Sequence, residues 1–257
     1  MVVGAGAAGL MAAIHAAEAA ATPHAGAIEG NAGPRVLVVE SSRDGGRKIL
    51  ISGGGRCNVL PGELDESLFV TDSSPNTMKK MLRSWPLAEQ RRFFEEDLGV
   101  PLRLEESSGK LFPASNRARD VRDALLAAAR ARGVGFRFGT SVVGIDPLAE
   151  DLDASASRWR LRTGDGSTIE ADAVVLATGG LSVPNTGSDG TGLLLARGLG
   201  HQIVEPYAAL TPLVDDPPRF RELAGISLDV TLTATGPRAP LRRSGGFLFT
   251  HRGYSGP

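Results

Sequence analysis

The chain is short of several things, and each shortage closes a route. Among its 257 residues there is one cysteine, Cys57. A single thiol forms no internal disulfide, which fits a reducing, cytoplasmic setting. It also excludes electron transfer through a dithiol pair. Histidine is scarce, with four residues, and aromatic side chains make up 5% of the chain. No His, Cys or carboxylate spacing reads as a metal site, so no metal is expected. No apolar run reaches the length of a membrane span. Leu10 to Ala21 has the length of a signal-peptide core, but no Lys or Arg precedes it, so it reads as a helix of the mature protein. The net charge is −1 and no basic tract is present. The expectation is therefore a chain without a nucleic-acid partner.

Glycine, by contrast, is plentiful and clustered. Val2-Val3 runs straight into Gly4-Ala5-Gly6-Ala7-Ala8-Gly9, and an Ala-rich helix follows. Arg35 to Glu40 is an apolar, β-branched strand. Strand, glycine turn, helix and strand make a βαβ unit, with Thr22 to Pro34 as a surface loop. Gly4 permits the tight turn, Gly6 lets a backbone approach a pyrophosphate, and Gly9 lets helix and strand pack closely. The helix N-terminus, around Ala7 and Ala8, offers free N–H groups and partial positive charge. Glu40, with Ser41 beside it, ends the second strand, where a carboxylate accepts ribose hydroxyls and repels a 2′-phosphate. FAD or NAD remains.

The segment from Asp44 to Asn58 favours FAD. It follows the second strand and reads as part of a long polar loop, Ser41 to Pro61, in which Gly53, Gly54 and Gly55 allow approach to a flat ring. Arg47, Lys48 and Arg56 offset phosphate charge or charge on a reduced flavin, and Ile49-Leu50-Ile51 anchor the segment. No second Gly-x-Gly-x-x-Gly is present, so NAD(P)H is expected to dock only transiently.

Helices are expected at Asn76 to Trp85, Leu87 to Leu98, Arg119 to Arg132 and Asp189 to Leu199, the last capped by Ser188 or Asp189. Strands are expected at Val134 to Phe138, Ser141 to Asp146 and Ala173 to Ala177. A hairpin is expected from Arg158 to Glu170. Prolines multiply after about residue 205, and alternating strands follow at Ser227 to Thr233 and Gly246 to Thr250. The expected division is residues 1–205 as an α/β, Rossmann-like domain and residues 206–257 as the incomplete start of a β-rich one. Two valines are few for a first strand, so the start is expected to lie inside a longer strand. The end at Gly256-Pro257 falls in what reads as a loop, so the chain reads as a fragment cut short.

Four segments together resemble one family. They are Val3 to Leu10, Gly46-Arg-Lys-Ile-Leu-Ile-Ser-Gly-Gly-Gly-Arg-Cys-Asn58, Ala177-Thr-Gly-Gly-Leu-Ser182, and Phe249-Thr-His-Arg-Gly-Tyr-Ser-Gly-Pro257. They look like the bacterial flavoproteins of the aminoacetone oxidase-like and bile-acid dehydro-reductase-like (BaiN-like) group. The resemblance implies bound FAD, a Rossmann-like FAD domain, an inserted β-rich domain and a later return to the FAD domain. It also implies that Ser52, Cys57 and Asn58 lie at the cofactor, that Val142 or Val143 passes beside the adenine, and that Ala177, Thr178, Gly179 and Gly180 cross close to the dinucleotide.

For the chemistry itself the flavin needs no acid or base from the protein. His251 is a candidate on the substrate side, or simply a surface residue. Cys57 is reactive if Arg56 lowers its pKa, or is a small packed thiol. His15, His24 and His201 read as structural. The function expected is an FAD-dependent oxidoreductase acting on a small organic molecule, with NAD(P)H or oxygen as the second partner. The alternatives are a tRNA-modifying type of flavoprotein and an inactive truncated one.

Overall fold

Val2 and Val3 form β1, and the fold is built outward from this pair. The computed structural model describes residues 1–21, 35–69, 71, 74–148, 158–236 and 240–256. The expected loop from Thr22 to Pro34, with His24, lies outside the described residues.

Helix α1 (Ala7–Ala21) follows the glycine turn, and β2 (Leu37–Val39) lies parallel to β1. The stretch expected to be a polar loop holds a short helix, α2 (Arg47–Ile51), and then a 3-10 turn at Ser52–Gly55. The correction has a packing cause: Ile49 is buried, so the helix is fixed by its contact with the core rather than by its polar flanks. Next come β3 (Leu60–Pro61), α3 (Pro75–Ser84) and α4 (Leu87–Arg92). The helix expected to reach Leu98 turns π-helical at Phe93–Asp97, which buries Phe93 and Phe94 together.

Strands β4 (Leu102–Glu105) and β5 (Lys110–Pro113) pair antiparallel, and β5 also pairs with β3. The amphipathic α5 (Ala118–Ala131) buries Val121, Leu125 and Ala129. Then come β6 (Gly135–Arg137), β7 (Val142–Pro147), β8 (Trp159–Thr163), β9 (Thr168–Ala171) and β10 (Val175–Leu176). Helix α6 (Thr191–Gly198) starts two residues later than expected, because Gly190 at its N-cap is left-handed, with φ 86°. Asp189 still serves as a cap of sorts: its Oδ1 accepts the Thr191 N–H at 3.0 Å.

Strands β10, β1, β2 and β6 form one parallel sheet in that order. The pleat sends alternate residues to opposite faces. Val2 and Val38 join a core with Leu10, Ile14, Val121 and Leu125 from α1 and α5. Val3 and Val39 join a second core with Val142, Ile145 and Leu161 from the β7–β8–β9 meander. The sheet thus has helices on one face and a meander on the other. Leu10 and Ile14 are fully buried, which stabilises by about 1.5–3 kcal/mol each.

The described residues divide into two compact units, Met1–Val204 and Glu205–Pro257. The second holds β11 (Leu213–Val214), β12 (Ser227–Ala234), β13 (Leu241–Thr250) and β14 (Gly253–Ser255), an antiparallel sheet in the order β11-β14-β13-β12. Gly253–Ser255 pairs with β13 as β14, and Gly256, expected in a loop, lies outside the strand. Among the described residues no helix is long and apolar enough to cross a membrane.

Candidate functional site

The carboxyl ends of β1, β2 and β10 open into a cavity of about 770 Å³, within the ordinary range for small-molecule sites. All its walls come from the first unit. The carboxyl edge of a parallel sheet is where α/β folds place ligands, since strands end there and helices begin.

The glycine turn forms one wall. Gly4 has φ 103° and donates its N–H to Val39 O at 2.8 Å. A Cβ on Gly4 would stand 2.6 Å from Ala177 O, so β1 and β10 can close only around a glycine here. A Cβ on Gly9 would overlap the Gly4 carbonyl. Gly9 is therefore a packing residue and does not line the cavity. Gly6, Ala7 and Ala8 do line it, and no atom lies within 4 Å of a Cβ built on Gly6. That open space faces the α1 N-terminus, whose first N–H groups have no intrahelical acceptor and carry partial positive charge. No acidic residue occupies the first turn to compete for them.

Glu40 stands beside the glycine turn and is bonded to it. Its Oε2 accepts the Ala5 N–H at 2.7 Å, and its Oε1 accepts from the Ser42 N–H at 2.8 Å and the Ser42 hydroxyl at 2.6 Å. Ser41 and Ser42 line the cavity with it.

Helix α2 forms the third wall. The Gly46 N–H donates to Ala5 O at 2.8 Å, which ties the start of this helix to the glycine turn. Gly46, Arg47, Lys48 and Ser52 reach the cavity, and Cys57 and Asn58 return to it. Lys48 Nζ donates to Ser182 O at 2.5 Å, bridging α2 to the loop after β10. Gly53, Gly54 and Arg56 lie off the cavity lining. Arg56 instead pairs with Glu105 at 2.7 Å and lies 4.2 Å over the Phe112 ring.

Cys57 is buried in a left-handed conformation, with φ 64°. Burial pushes its thiol up from the usual value, partly offset by a hydrogen bond with Ser52. With Arg56 engaged elsewhere, this is a protonated, packed thiol at neutral pH.

On the remaining side Val142, Ala177, Thr178 and Gly179 line the cavity, while Val143 and Gly180 do not. Strand alternation accounts for the valines: Val142 is buried and Val143 is 53% exposed.

Ser42, Thr140, Ser141 and Phe94 also line the cavity, as do Thr186, Gly187, Ser188, Asp189, Thr191 and Gly192, none of them marked as site residues by a sequence motif. A signal was present in Gly187-Ser188-Asp189-Gly190, a cluster of small and polar residues just after a parallel strand, but it was read only as a helix cap. Hydrogen bonding to the Thr191 backbone holds the Asp189 carboxyl below its usual range, so it faces the cavity charged.

His251 is exposed in the β13–β14 turn of the second unit. His15 sits beside Trp85 and Phe93, with ring centroids 5.5 and 5.6 Å away, and its Nδ1 is 2.9 Å from Glu18. Among the described residues no group of three or more His, Cys, Asp or Glu side chains is placed to hold a metal.

A parallel sheet, a helix opening on Gly4-x-Gly6-x-x-Gly9, and a carboxylate at the tip of the second strand define a Rossmann-type dinucleotide-binding chain. It belongs to the HI0933-like protein family, whose Rossmann-domain model matches residues 1–250. Membership of this family supports FAD as the cofactor. The chain is 32% identical over 256 residues to the 3-dehydro-bile acid delta(4,6)-reductase of Clostridium scindens, covering 99% of this chain and 57% of that protein. It is 30% identical over 269 residues to the ribosomal RNA dihydrouridine synthase of Escherichia coli, covering 100% and 58%. The chain thus spans a little over half the length of these relatives. Its fold is shared with the open conformation of a flavocytochrome c3 fumarate reductase, with a TM-score of 0.55 at 21% identity, over 89% of this chain and 46% of that one.

Proposed function

We propose that residues 1–204 hold FAD in this cavity and that the protein is an FAD-dependent oxidoreductase acting on a small organic substrate. The observation that carries the reading is the single cavity shared by the glycine turn, Glu40 and the start of α2. The residues fit the cofactor. The open space at Gly6 admits a pyrophosphate to the α1 N-terminus. Glu40 Oε1 is taken by Ser41 and Ser42, but Oε2 accepts the Ala5 N–H alone, which leaves one of about two lone-pair sites on that oxygen for a ribose hydroxyl. Its charge disfavours a 2′-phosphate. Arg47 and Lys48 supply positive charge at the α2 wall. Ser52, Asn58, Val142, Ala177, Thr178 and Gly179 complete the lining, with the loop from Thr186 to Asp189 alongside.

Bound there, FAD supplies two-electron transfer, and the protein's part is binding, orientation and electrostatics. Cys57, protonated and packed, orients rather than reacts. The second electron partner is NAD(P)H docking transiently, or oxygen. The similarity to a bile-acid reductase favours reduction of an unsaturated organic substrate. Residues 205–257 supply a separate β-rich unit.

The test is spectroscopic. Purified protein should show bound flavin absorption, and anaerobic mixing with NADH or NADPH should bleach it. If neither nicotinamide bleaches the flavin, the reductase version falls. If no flavin binds even when FAD is added, the assignment of the cavity falls.

A second reading, reduction of a uracil base in RNA, is favoured by the similarity to ribosomal RNA dihydrouridine synthases. The net charge of −1 weighs against an extended phosphate contact. Salt-sensitive retention on ribosomal RNA, with loss of uracil absorbance on reduction, would choose this reading over the first.

A further inference from the structure

The segment from Ser52 to Asn58 places three residues, Ser52, Cys57 and Asn58, at the cavity, yet its own sequence offers little to fix its conformation. Helix α2 before it has five residues, too few to be stable alone. The turn that follows contains Gly53, Gly54 and Gly55, all at positive φ, so its backbone has wide freedom when unfolded.

What holds it comes from the neighbouring β4–β5 hairpin. Phe112, on β5, is 3% exposed, and its ring lies so close that a Cβ on Gly53 would be 2.9 Å from it. The Arg56 guanidinium covers the same ring at 4.2 Å. Arg56 Nε donates to Gly53 O at 3.3 Å, and Nη1 donates to Glu105 Oε1 at 2.7 Å. Glu105, the last residue of β4, also accepts the Ser108 hydroxyl at 2.7 Å, so it is fixed by its own hairpin turn. The Arg56 and Ser108 hydrogen bonds hold its carboxyl below the usual carboxylate range. Inside the turn, the Cys57 N–H donates to Ser52 O at 3.0 Å.

We infer that Glu105 is a positioning residue for the cofactor site: through Arg56 it clamps the triple-glycine turn onto Phe112 and so sets where Ser52, Cys57 and Asn58 meet the FAD. The inference rests on the proposed FAD site. It gives Arg56 a role its charge alone does not suggest. The guanidinium faces a hairpin, and its planar fork lets it stack and pair at once, which a lysine does not do. A strong ion pair is not required, because both partners are partly exposed and such pairs contribute little by themselves. The clamp works by removing alternatives from a glycine-rich backbone.

The experiment compares the full chain with Glu105→Gln, Arg56→Gln and the double variant. Three quantities are read: FAD dissociation constant, amide exchange of Ser52 to Asn58 without FAD, and Tm. The single substitutions are expected to speed exchange at Cys57 and to weaken FAD binding about fivefold, with the double variant no worse than the weaker single. Tm should barely move, because the pair lies at the surface. Unchanged exchange, unchanged affinity, or losses that simply add would overturn the inference. If the unsubstituted chain binds no FAD while exchange at Cys57 responds as expected, the proposed FAD site falls and the clamp on the turn stands.

Discussion

The Glu40 carboxylate accepts the Ala5 N–H at 2.7 Å across 35 residues of sequence. This bond joins the tip of the second strand to the middle of the glycine turn. The Gly46 N–H, donating to the Ala5 carbonyl at 2.8 Å, joins the same residue to α2. Ala5 is thus held at its N–H and its C=O by two of the cavity's other walls, and the three walls are joined at one residue. Glu40→Ala removes the acceptor for the Ala5 and Ser42 N–H groups. Leaving such groups unsatisfied costs about 1–3 kcal/mol. Urea denaturation should show a loss of that size, and FAD affinity should fall with it. Glu40→Gln retains an acceptor and is expected to fold nearly as well while still binding FAD more weakly.

Gly6 and Gly9 make a sharper test, because one motif assigns them different work. A methyl on Gly9 would overlap the Gly4 carbonyl, whereas one on Gly6 meets nothing. Gly9→Ala should therefore misfold or lose several kcal/mol, as overpacking does. Gly6→Ala should keep the Tm of the parent chain within about 2 °C, since Ala is well tolerated near a helix start, and weaken FAD about tenfold or more by obstructing the approach of a pyrophosphate. Thermal melts with and without FAD separate the two. Equal effects at both positions would mean that the open space beside Gly6 does not receive the cofactor.

The contrast between these glycines also shows what sequence could convey. The βαβ unit was legible because its signals are local: a turn of fixed spacing, a helix without breakers and a β-branched strand. Helix α5 was legible for the same reason. Helix α2 was not, because five residues carry no periodicity; Ile49 was legible as an anchor and is buried, but Ile51, expected to anchor with it, is 51% exposed. The β3–β5–β4 sheet went unread, as its strands are two to four residues long. Arg56 was legible as a cation near the site but not in its direction, because Glu105 and Phe112 reach it from a hairpin about fifty residues away. The cavity wall from Thr186 to Gly192 was hidden for a similar reason: small polar residues that cap a helix look the same whether or not they face a cavity.

Asp215 offers a pH test confined to the second unit. Arg219 donates its Nε and its backbone N–H to the carboxylate, and the Tyr254 hydroxyl donates to Oδ2 at 2.9 Å. These bonds, with Arg219 the largest cause, hold the Asp215 carboxyl below its ordinary range. A carboxyl with a depressed folded pKa contributes stability above its unfolded pKa and loses it as pH falls through the folded one. Amide exchange at Asp215 and Gly253 should therefore accelerate as pH drops below the usual carboxylate range, after correction for intrinsic exchange. In Asp215→Asn that acid-dependent component should vanish. An unchanged profile would remove Asp215 as its source.

Cys57 gives the last test, and it bears on the cavity directly. Its thiol pKa is raised, chiefly by burial. The folded state then holds the thiol proton more tightly than the unfolded state does. That contribution to stability is complete below the ordinary thiol value, and it declines as pH rises above that value and the unfolded chain ionises first. Because the thiolate is the reacting form, iodoacetamide should label the native protein slowly at neutral pH and quickly in denaturing urea. Raising the pH should speed native labelling only beyond the range where an exposed thiol is already reactive. FAD should slow it further, since Cys57 lines the cavity that the cofactor fills. Mass spectrometry of the labelled peptide measures all four rates. Fast labelling of the native protein at neutral pH would mean that the thiol is activated, and Cys57 would return as a candidate for chemistry at the flavin.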